Sequence, residues 1–174
     1  MKRAGLALAL LLLATAVVAA TSISTSQSGT IKADPEKIWT LLVDANHWAD
    51  WCPAVRKAEL IKGDVKTVGS RVKFWPVIGG KKGPAVILTL SKIAPLRLLE
   101  YTASQPGMNI VFGKKIEVKD GTSEFTSDET IGGSGAPVFV RIYGQDGLDQ
   151  EHREWVEAIK KKLESTDEKG DGGK

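Results

Sequence analysis

The sequence predicts an α+β fold in which a curved antiparallel sheet of seven strands wraps around a long C-terminal helix. Three features of the sequence support this fold. Two short helical segments follow the first strand-like stretch, six further strand-like runs are separated by glycine and proline turn signals, and a long amphipathic segment follows them. The 174 residues are enough for one domain with a sizeable core.

The first strand and the two short helices are predicted early in the chain. Weak alternation of apolar and polar residues indicates a strand over residues 21–31. Asp34 can accept hydrogen bonds from the free amides at a helix start, and Pro35 suits the first helical position. Residues at helical spacing then form one apolar face: Ile38, Trp39, Leu41 and Leu42. After a short break, Trp48 and Trp51 lie three residues apart and point the same way from a second helix.

Six further strands are predicted before the last helix. Each run is rich in β-branched, aromatic or other apolar residues and is bounded by glycine, proline or aspartate turn signals. The runs cover residues 55–61, 70–75, 85–93, 98–104, 109–119 and 122–131. Together with the first strand they form an antiparallel meander, and a meander of this length must curl.

The last element is predicted to be one amphipathic helix over residues 136–165, roughly 45 Å long at the usual rise per residue. At about 100° per residue, the apolar residues that share one face are Val138, Leu148, Trp155, Val156, Ile159 and Leu163. Gly144 and Gly147 interrupt this pattern. They either kink the helix or separate its first portion from the rest.

The two ends of the chain are predicted to lie outside the domain, which spans residues 21–165. Lys2 and Arg3 precede an apolar run, residues 4–20, that ends in small residues and is typical of a cleaved signal peptide. Its length also allows a retained membrane anchor, although the small residues favour cleavage. The domain is therefore expected to be exported, as a periplasmic or secreted protein or one held at the inner membrane. Residues 166–174 have no apolar side chain and are predicted to be a disordered tail.

The stretch from residue 30 to residue 55 also resembles the opening of a known superfamily. In that pattern a strand is followed by Ala-x-Pro-Glu-x-ϕ-Trp (ϕ apolar), by an Asp near the helix end, and by Trp-x-x-Trp-x-Pro-x-Val. The matching residues are Ala33, Pro35, Glu36, Ile38, Trp39, Asp44, Trp48, Trp51, Pro53 and Val55. The pattern is similar to that of the START-like superfamily (SRPBCC), which includes START lipid-transfer domains, the birch-pollen-allergen family and polyketide cyclases. This resemblance implies a helix-grip fold with a hydrophobic cavity between the sheet and the long helix.

Charge and motif content argue against several classes of function. Lys2 and Arg3 belong to the leader, so the domain is nearly neutral, and it has no basic stripe interleaved with aromatic residues that would suit nucleic acid. The sequence contains no nucleophile elbow, phosphate loop or dinucleotide fingerprint, and we assign no catalytic residue and no cofactor. With two histidines and one cysteine, a metal site is not expected and an internal disulfide is impossible. We interpret that cysteine, Cys52, as a small apolar filler.

Eleven residues are predicted to line the cavity and bind its ligand. Seven are aromatic residues on the predicted strands and short helices: Trp48, Trp51, Phe74, Trp75, Tyr101, Phe112 and Phe125. Four share one sector of the last helix: Arg141, Gln145, Leu148 and His152. The alternatives are that the aromatic residues fill a closed core, that Arg141 sits at a wet open end, and that His152 is a core histidine with its partners inside the fold.

Two further segments contain lysine. The loop over residues 77–82 could cover the cavity mouth or touch a membrane, and a plain mobile hairpin tip is the preferred interpretation. Trp75 precedes this loop and is the aromatic residue best placed to gate an opening. Lys114 and Lys115 are predicted to lie on a solvated strand face.

Three functions are compatible with the predicted fold. The preferred one is an exported binding or transport protein for a hydrophobic small molecule, such as a lipid, an isoprenoid or a polyketide-like compound. The second is an enzyme that resembles polyketide cyclases and dehydratases, in which Arg141, His152 and Tyr101 orient carbonyl groups or exchange a proton. The third is a non-catalytic interaction module that an uncleaved segment, residues 4–20, anchors in a membrane.

Overall fold

A computed structural model describes residues 22–119 and 121–167 of the chain. The chain begins with β1 (Ser22–Ile31), α1 (Pro35–Val43), a 3-10 turn (Ala45–His47) and α2 (Trp48–Trp51). Seven strands follow: β2 (Val55–Lys62), β3 (Arg71–Ile78), β4 (Lys81–Lys82), β5 (Val86–Ala94), β6 (Leu98–Gln105), β7 (Met108–Lys119) and β8 (Thr122–Gly132). The last elements are the helices α3 (Ala136–Tyr143) and α4 (Gln145–Asp167). The predicted signal peptide lies outside the described residues. Of the predicted tail, residues 166–174, the first two form the end of α4, contrary to the prediction, and the others lie outside the described residues.

The strands form one curved antiparallel sheet in the order β1-β8-β7-β6-β5-β3-β2, and the two-residue β4 pairs only with β3. The seven strands on this path are the seven that the sequence predicts, and the predicted fold class is confirmed. Because β1 pairs with β8, the strands β1 and β2 lie at opposite edges of the sheet. The helices α1 and α2 therefore carry the chain from one edge to the other.

Helix α1 begins at Pro35 as predicted, but the side chain of Asp34 makes no capping hydrogen bond. Asp34 has an extended backbone, with φ −65° and ψ 147°. Its carbonyl oxygen accepts from the backbone amides of Lys37 at 3.0 Å and Ile38 at 3.4 Å. The amide of Lys37, which a side-chain cap would accept from, is thus taken by the backbone oxygen of Asp34, and the helix starts without the predicted side-chain cap.

The predicted C-terminal helix is divided in two at Gly144. This residue has φ 77° and ψ 159°, a backbone conformation that favours glycine and cannot continue a helix. Helix α3 ends there, where the Gly144 amide donates to the Val140 carbonyl at 2.8 Å, and α4 begins at Gln145. Separation of the first portion is thus the alternative that the structure adopts. Among the described residues, no helix combines the length and apolar character that crossing a membrane requires.

The tip of the β3–β4 hairpin docks on the junction between α3 and α4. A Cβ added to Gly79 at this tip would lie 2.8 Å from the Cα of Gly147 in α4. The Lys81 Nζ donates to the carbonyl oxygen of Ile142, near the end of α3, at 2.6 Å. This close approach, together with a φ of 56°, explains why glycine occupies position 79, whereas a Cβ at Gly147 would make only ordinary contacts from 3.4 Å. The predicted hairpin is therefore present, and its tip packs against the helices. Its predicted mobility stays a prediction.

The core lies between the concave face of the sheet and α4, which packs against β1, β8 and β3. The inward face of α4 carries Leu148, Trp155 and Ile159, all 0% exposed. Trp155 meets Trp48 of α2 edge-to-face, with ring centroids 5.3 Å apart. The second short helix therefore closes the core on the side where α4 crosses the sheet.

Candidate functional site

An apolar cavity of about 310 Å³ lies between the sheet, α3 and the first turns of α4. Its walls come mainly from β3, β5, β7 and α3, and include Phe74, Ile78, Val86, Leu88, Met108, Ile110, Phe112, Val138, Phe139 and Ile142. Val138 is 58% exposed and Ile142 is 50% exposed, so the α3 side of the cavity is next to solvent. A cavity of this size and lining is typical of sites for small apolar molecules.

Polar side chains reach the cavity at only a few places. Those in its wall are Gln105, Glu129, Tyr143 and Glu151. Glu129 and Glu151 lie together, and one ligand-type atom from each of these residues and from His152 falls within 4.8 Å of the others. Behind this part of the wall lie Lys114 and Ser127. We call Lys114, Ser127, Glu129, Glu151 and His152 the polar cluster.

Strand alternation brings the sheet members of the polar cluster together. Side chains on one face of a strand recur at every second residue, and directly paired residues on neighbouring strands face the same side. Lys114 on β7 is paired with Ser127 on β8, and Phe112 on β7 is paired with Glu129 on β8. All four side chains therefore point from adjacent positions of the sheet toward α4.

The helical period brings the other two members to the same place. Glu151 and His152 follow Leu148 by three and four residues, so they share the inward face of α4. Glu151 is 2% exposed and His152 is 0% exposed. Polar groups that are buried to this extent need hydrogen-bond partners. The packing of α4 on the sheet determines which partners lie near Glu151 and His152.

A hydrogen-bond chain links Lys114 to Glu129. The Lys114 Nζ donates to Ser127 Oγ, and Ser127 Oγ lies 2.7 Å from His152 Nδ1. His152 Nε2 lies 3.1 Å from Glu129 Oε2. Because Ser127 accepts from the lysine, its single hydrogen is available for Nδ1, and the imidazole then donates its Nε2 hydrogen to Glu129. The chain therefore fixes Glu129 as an oriented acceptor at the cavity wall.

The amino group of Lys114 is enclosed by aromatic rings. Its Nζ lies 3.9 Å from the ring centroid of Phe112 and 4.0 Å from that of Trp155, and such contacts stabilise the ammonium form. Burial has the larger effect and lowers the pKa of Lys114 to about 7, against the opposing attraction of nearby groups that include Glu151 and Glu129. The ammonium and amine forms are therefore both accessible near neutral pH.

Burial also acts on Glu151 and His152. It raises the pKa of Glu151 well above its ordinary value, and the carboxylate of Glu129 raises it further while Lys114 opposes the shift. Burial lowers the pKa of His152, against the hydrogen bond to Glu129. These directions favour a neutral imidazole and a protonated Glu151 carboxyl group beside the Glu129 acceptor.

Glu129, Glu151 and His152 are also side chains of the types that bind divalent cations. In this structure His152 Nε2 already donates to Glu129, and the Lys114 amino group lies in the same cluster. A cation would have to displace that hydrogen bond and would meet the ammonium charge of Lys114. The donor set therefore suits hydrogen bonding better than metal binding, and the sequence-based expectation of no metal stays a prediction.

The structure brings only part of the predicted ligand-binding set to the cavity. Phe74 and Phe112 line it. Four others are buried in the core and are not part of its wall: Trp48, Tyr101, Phe125 and Leu148. Trp51 is half-buried and packs edge-to-face on Trp155, with centroids 5.5 Å apart. His152 is the core histidine with partners inside the fold, although its partners belong to the polar cluster.

Trp75 lies on the outer face of the sheet, so the structure does not support its predicted place at an opening. Phe74 points inward, and strand alternation therefore turns Trp75 outward. The Lys57 Nζ lies 5.0 Å and the Lys73 Nζ lies 4.9 Å from the Trp75 ring centroid. Trp75 is thus a cation–π partner of two surface lysines.

Arg141 and Gln145 are exposed and lie outside the cavity wall. The Gln145 side chain donates to the carbonyl oxygen of Ser24 at 3.1 Å. The prediction placed both residues on the inward sector of one continuous helix. Because the chain leaves helical geometry at Gly144, the angular phase of α3 differs from that of α4, and Arg141 is exposed, in line with its alternative interpretation. Gln145 is the first residue of α4, and its side chain reaches Ser24 instead of the cavity. The prediction that these two residues line the cavity is therefore wrong.

Sequence reasoning missed Lys114, Ser127, Glu129 and Glu151. The prediction that Lys114 lies on a solvated face is wrong, because its side chain is 2% exposed. A signal was present, since Lys114 shares strand parity with the inward residue Phe112. The prediction of a solvated position instead followed the general rarity of buried lysine in proteins.

Cys52 lies in the core near the polar cluster and is 1% exposed. Burial raises the pKa of its thiol to about 12. The group therefore stays protonated and serves as a small packing group, in agreement with its interpretation as a filler.

Known structures share this fold at low sequence identity. The Zhui aromatase/cyclase from Streptomyces sp. R1128 matches with a TM-score of 0.71 and 14% identity, over 88% of this chain and 100% of that chain. Ara h 8.0201 matches with a TM-score of 0.63 and 23% identity, over 83% and 99% of the two chains. A START superfamily protein from Mycobacterium smegmatis matches with a TM-score of 0.62 and 14% identity, over 82% of this chain and 98% of that chain. No curated protein matches the sequence.

At these identities the solved structures show the fold alone. A sequence profile extends the comparison to the family, because the one described as polyketide cyclase/dehydrase and lipid transport matches residues 22–166. The matched range contains the whole sheet, both C-terminal helices but for the final residue of α4, and the polar cluster. The START-like resemblance is confirmed, and the chain belongs to the polyketide cyclase/dehydrase and lipid transport family.

Proposed function

We propose that the protein binds a hydrophobic small molecule, such as a lipid, an isoprenoid or a polyketide-like compound, in the cavity between the sheet and α3. The observation that carries this proposal is a cavity of about 310 Å³ with apolar walls, where Glu129 and Glu151 form the charged part of the lining. Such a site takes a largely apolar molecule and orients it through a few polar contacts. Membership of a family described by cyclase and lipid-transport activities supports the same class of ligand.

The direct test is native mass spectrometry of the protein purified from its host, followed by extraction and identification of the bound compound. A matched pair of variants locates the binding site. Ile110→Phe adds volume to the cavity wall, whereas Val111→Phe adds a bulky group on the opposite strand face, where Val111 is 39% exposed. We expect Ile110→Phe to lower the fraction of protein that carries ligand and Val111→Phe to leave it unchanged, with circular dichroism to show that both variants fold. An empty wild-type protein that also fails to bind the apolar dye N-phenyl-1-naphthylamine contradicts the proposal.

We further propose that the protein acts as a carrier outside the cytoplasm. Support comes from Lys2 and Arg3 followed by the apolar run over residues 4–20. N-terminal sequencing of protein from each cell fraction and from the medium tests the proposal. A new N-terminus near Thr21 supports a cleaved signal peptide, and an intact Met1 in the membrane fraction supports an anchored module instead. Intact protein confined to the cytoplasmic fraction contradicts export.

The hydrogen-bond chain behind the cavity wall favours a second candidate function, proton-transfer catalysis of the cyclase or dehydratase kind. A carboxylate that an imidazole orients can remove a proton next to a carbonyl, and a protonated carboxyl group can return one. Glu129 and Glu151 line the cavity and are available for these roles, whereas Arg141 is exposed and lies outside the cavity wall.

A generic proton abstraction tests this second candidate without knowledge of the substrate. In the Kemp elimination of 5-nitrobenzisoxazole, a base removes a carbon-bound proton while the nitrogen–oxygen bond breaks. We expect a rate above that of buffer carboxylate, and a fall of at least about tenfold in Glu129→Gln because general-base catalysis contributes factors of this order or more. A rate that equals the buffer rate, or that Glu129→Gln does not change, counts against catalysis.

A further inference from the structure

The carboxyl group of Glu151 has no hydrogen-bond partner among the described residues, although its side chain is 2% exposed and lines the cavity. Buried polar groups in folded proteins are nearly always satisfied, because an unsatisfied group loses its hydration without compensation. Tertiary contacts of α4 hold Glu151 in this position, with Leu148 and His152 beside it fully buried. The unsatisfied carboxyl group therefore points to a partner that enters from the cavity.

Glu129 offers the complementary group at the same place. Its Oε2 accepts from His152 Nε2, which leaves Oε1 free to accept a second hydrogen bond. Two carboxyl groups this close to each other and to the apolar wall do not both lose their protons readily. Because the imidazole donates to Glu129, the proton of the pair resides on Glu151. This end of the cavity then presents one O–H donor and one carboxylate acceptor.

We propose that the ligand carries a neutral oxygen group, a hydroxyl or a carbonyl, at the end that reaches Glu129 and Glu151, and is otherwise apolar. This inference rests on the proposed binding function and specifies its ligand class. A hydroxyl group satisfies both residues, since it accepts from Glu151 and donates to Glu129, whereas a carbonyl oxygen accepts from Glu151 only. An anionic head group meets the Glu129 carboxylate and is repelled.

A cationic head group is disfavoured by the remaining charges around the pair. The groups that face Glu151 are Glu129 from β8, Lys114 from β7, and His152 and Glu154 from α4. The Lys114 amino group is a buried positive charge of the cluster when protonated. A second buried cation beside it would have to give up its hydration next to a like charge.

The test uses four probes that share one apolar body: naphthalene, 2-naphthol, 2-naphthoate and 2-naphthylmethylamine. Their affinities for the full chain are measured near neutral pH by displacement of N-phenyl-1-naphthylamine fluorescence. We expect 2-naphthol to bind about tenfold more tightly than naphthalene, the factor that one satisfied hydrogen bond contributes, and 2-naphthoate to bind more weakly than naphthalene. Glu151→Leu removes the donor and is expected to abolish the preference for 2-naphthol, whereas Glu151→Gln retains an N–H donor and keeps part of it.

The matched control is Glu157→Leu, which changes an exposed glutamate of the same helix and leaves the probe preference unchanged. Equal binding of naphthalene and 2-naphthol by the wild type, or tightest binding of the anion or the amine, overturns the inference and leaves hydrophobic binding intact. Failure of the dye and all four probes to bind overturns the proposed function itself. If Glu151→Leu does not fold, the ranking of the four probes by the wild type still decides the question.

Discussion

Lys114 is a buried amino group within a cluster that also contains two carboxyl groups, and its titration is therefore linked to folding. The pKa of Lys114 falls from the ordinary 10.5 to about 7 in the folded protein. Between these values the unfolded chain holds a proton that the folded protein lacks, so the free energy of unfolding rises with pH. This contribution to stability is present above the ordinary value and is lost as the pH falls through about 7.

Replacement of Lys114 by methionine should remove this pH dependence. We expect the unfolding free energy of the wild type to rise by about 2–3 kcal/mol relative to that of Lys114→Met between pH 7 and about 9, as follows from a shift of this direction and size. Urea denaturation at a series of pH values measures the difference. Lys115→Met is the control, because Lys115 is half-exposed and faces outward. Parallel pH curves for wild type and Lys114→Met would show that the amino group is not buried as described.

Glu151 should give the opposite pH dependence. Its pKa is raised in the folded protein, so its contribution to stability is complete below the ordinary glutamate value and is lost as the pH rises through the raised value. Glu151→Gln cannot ionise, and its stability relative to the wild type should therefore increase as the pH rises from about 4, by about 1.4 kcal/mol per unit of pKa shift. Thermal unfolding of both proteins between pH 4 and 8 measures this trend, and Glu157→Gln, at an exposed position of the same helix, is the control. A constant difference across that range contradicts a protonated Glu151.

At the scale of single residues the sequence was least informative. Its strand parity correctly predicts that Phe74 and Phe112 point inward, because the period of two leaves no other choice. Strand parity did not decide whether Tyr101 lines a cavity or fills the core. An inward side chain is compatible with either, and the outcome depends on where α4 packs. The position of Lys114 was predicted wrongly for a different reason. Its place in the strand indicates an inward side chain, but lysine is generally exposed in proteins, and the prediction followed that general tendency.

At the scale of secondary structure elements, the joint between α3 and α4 decides where the cavity is open. The β3–β4 hairpin supports this joint through Gly79 and Lys81. Periodicity alone did not locate the joint, because apolar residues recur at helical spacing on both sides of it. Gly144 was the available signal, and it could not distinguish a kink from a break. An error of phase at that one residue was sufficient to misplace Arg141.

Two glycines at the hairpin tip provide a matched test of this docking. Gly79 and Gly80 both have positive φ, at 56° and 75°, so alanine strains the backbone at either position. A Cβ at Gly79 would also lie 2.8 Å from the Cα of Gly147, whereas one at Gly80 meets nothing within 4 Å. We expect Gly79→Ala to cost about 1–3 kcal/mol more than Gly80→Ala, the usual cost of overpacking, in urea denaturation. Equal costs would indicate that the tip does not rest on α4.

At the scale of the whole molecule, α4 is the element that the sheet encloses. The sequence was sufficient to predict this architecture, because strand and helix periods and the turn signals all agree with one fold. It was not sufficient to predict the cavity, whose volume depends on how closely α3 and α4 approach the sheet. That distance arises from the combined packing of many side chains, and no local pattern records it.

Two leucines of α4 test the central position of this helix. Leu148 is 0% exposed, whereas Leu163 is partly buried near the end of the helix. We expect Leu148→Ala to lower the free energy of unfolding by about 2–5 kcal/mol, the range for fully buried leucine, and Leu163→Ala to lower it by less. Denaturant titrations of the two variants measure the difference. Comparable losses would mean that α4 is held as firmly at its end as over the sheet.

The half-exposed apolar residues of α3, Val138 and Ile142, have a consequence for the rate of exchange. A molecule that leaves the cavity on this side passes a short helix that packs against α4 and β1, joins α4 at Gly144 and accepts a hydrogen bond from Lys81 at Ile142. Residence time should therefore depend on how often α3 moves away from the sheet, and less on how tightly the polar end is held. Two ligands of equal affinity would then dissociate at rates set by the protein, and loss of the Lys81 hydrogen bond would accelerate both alike.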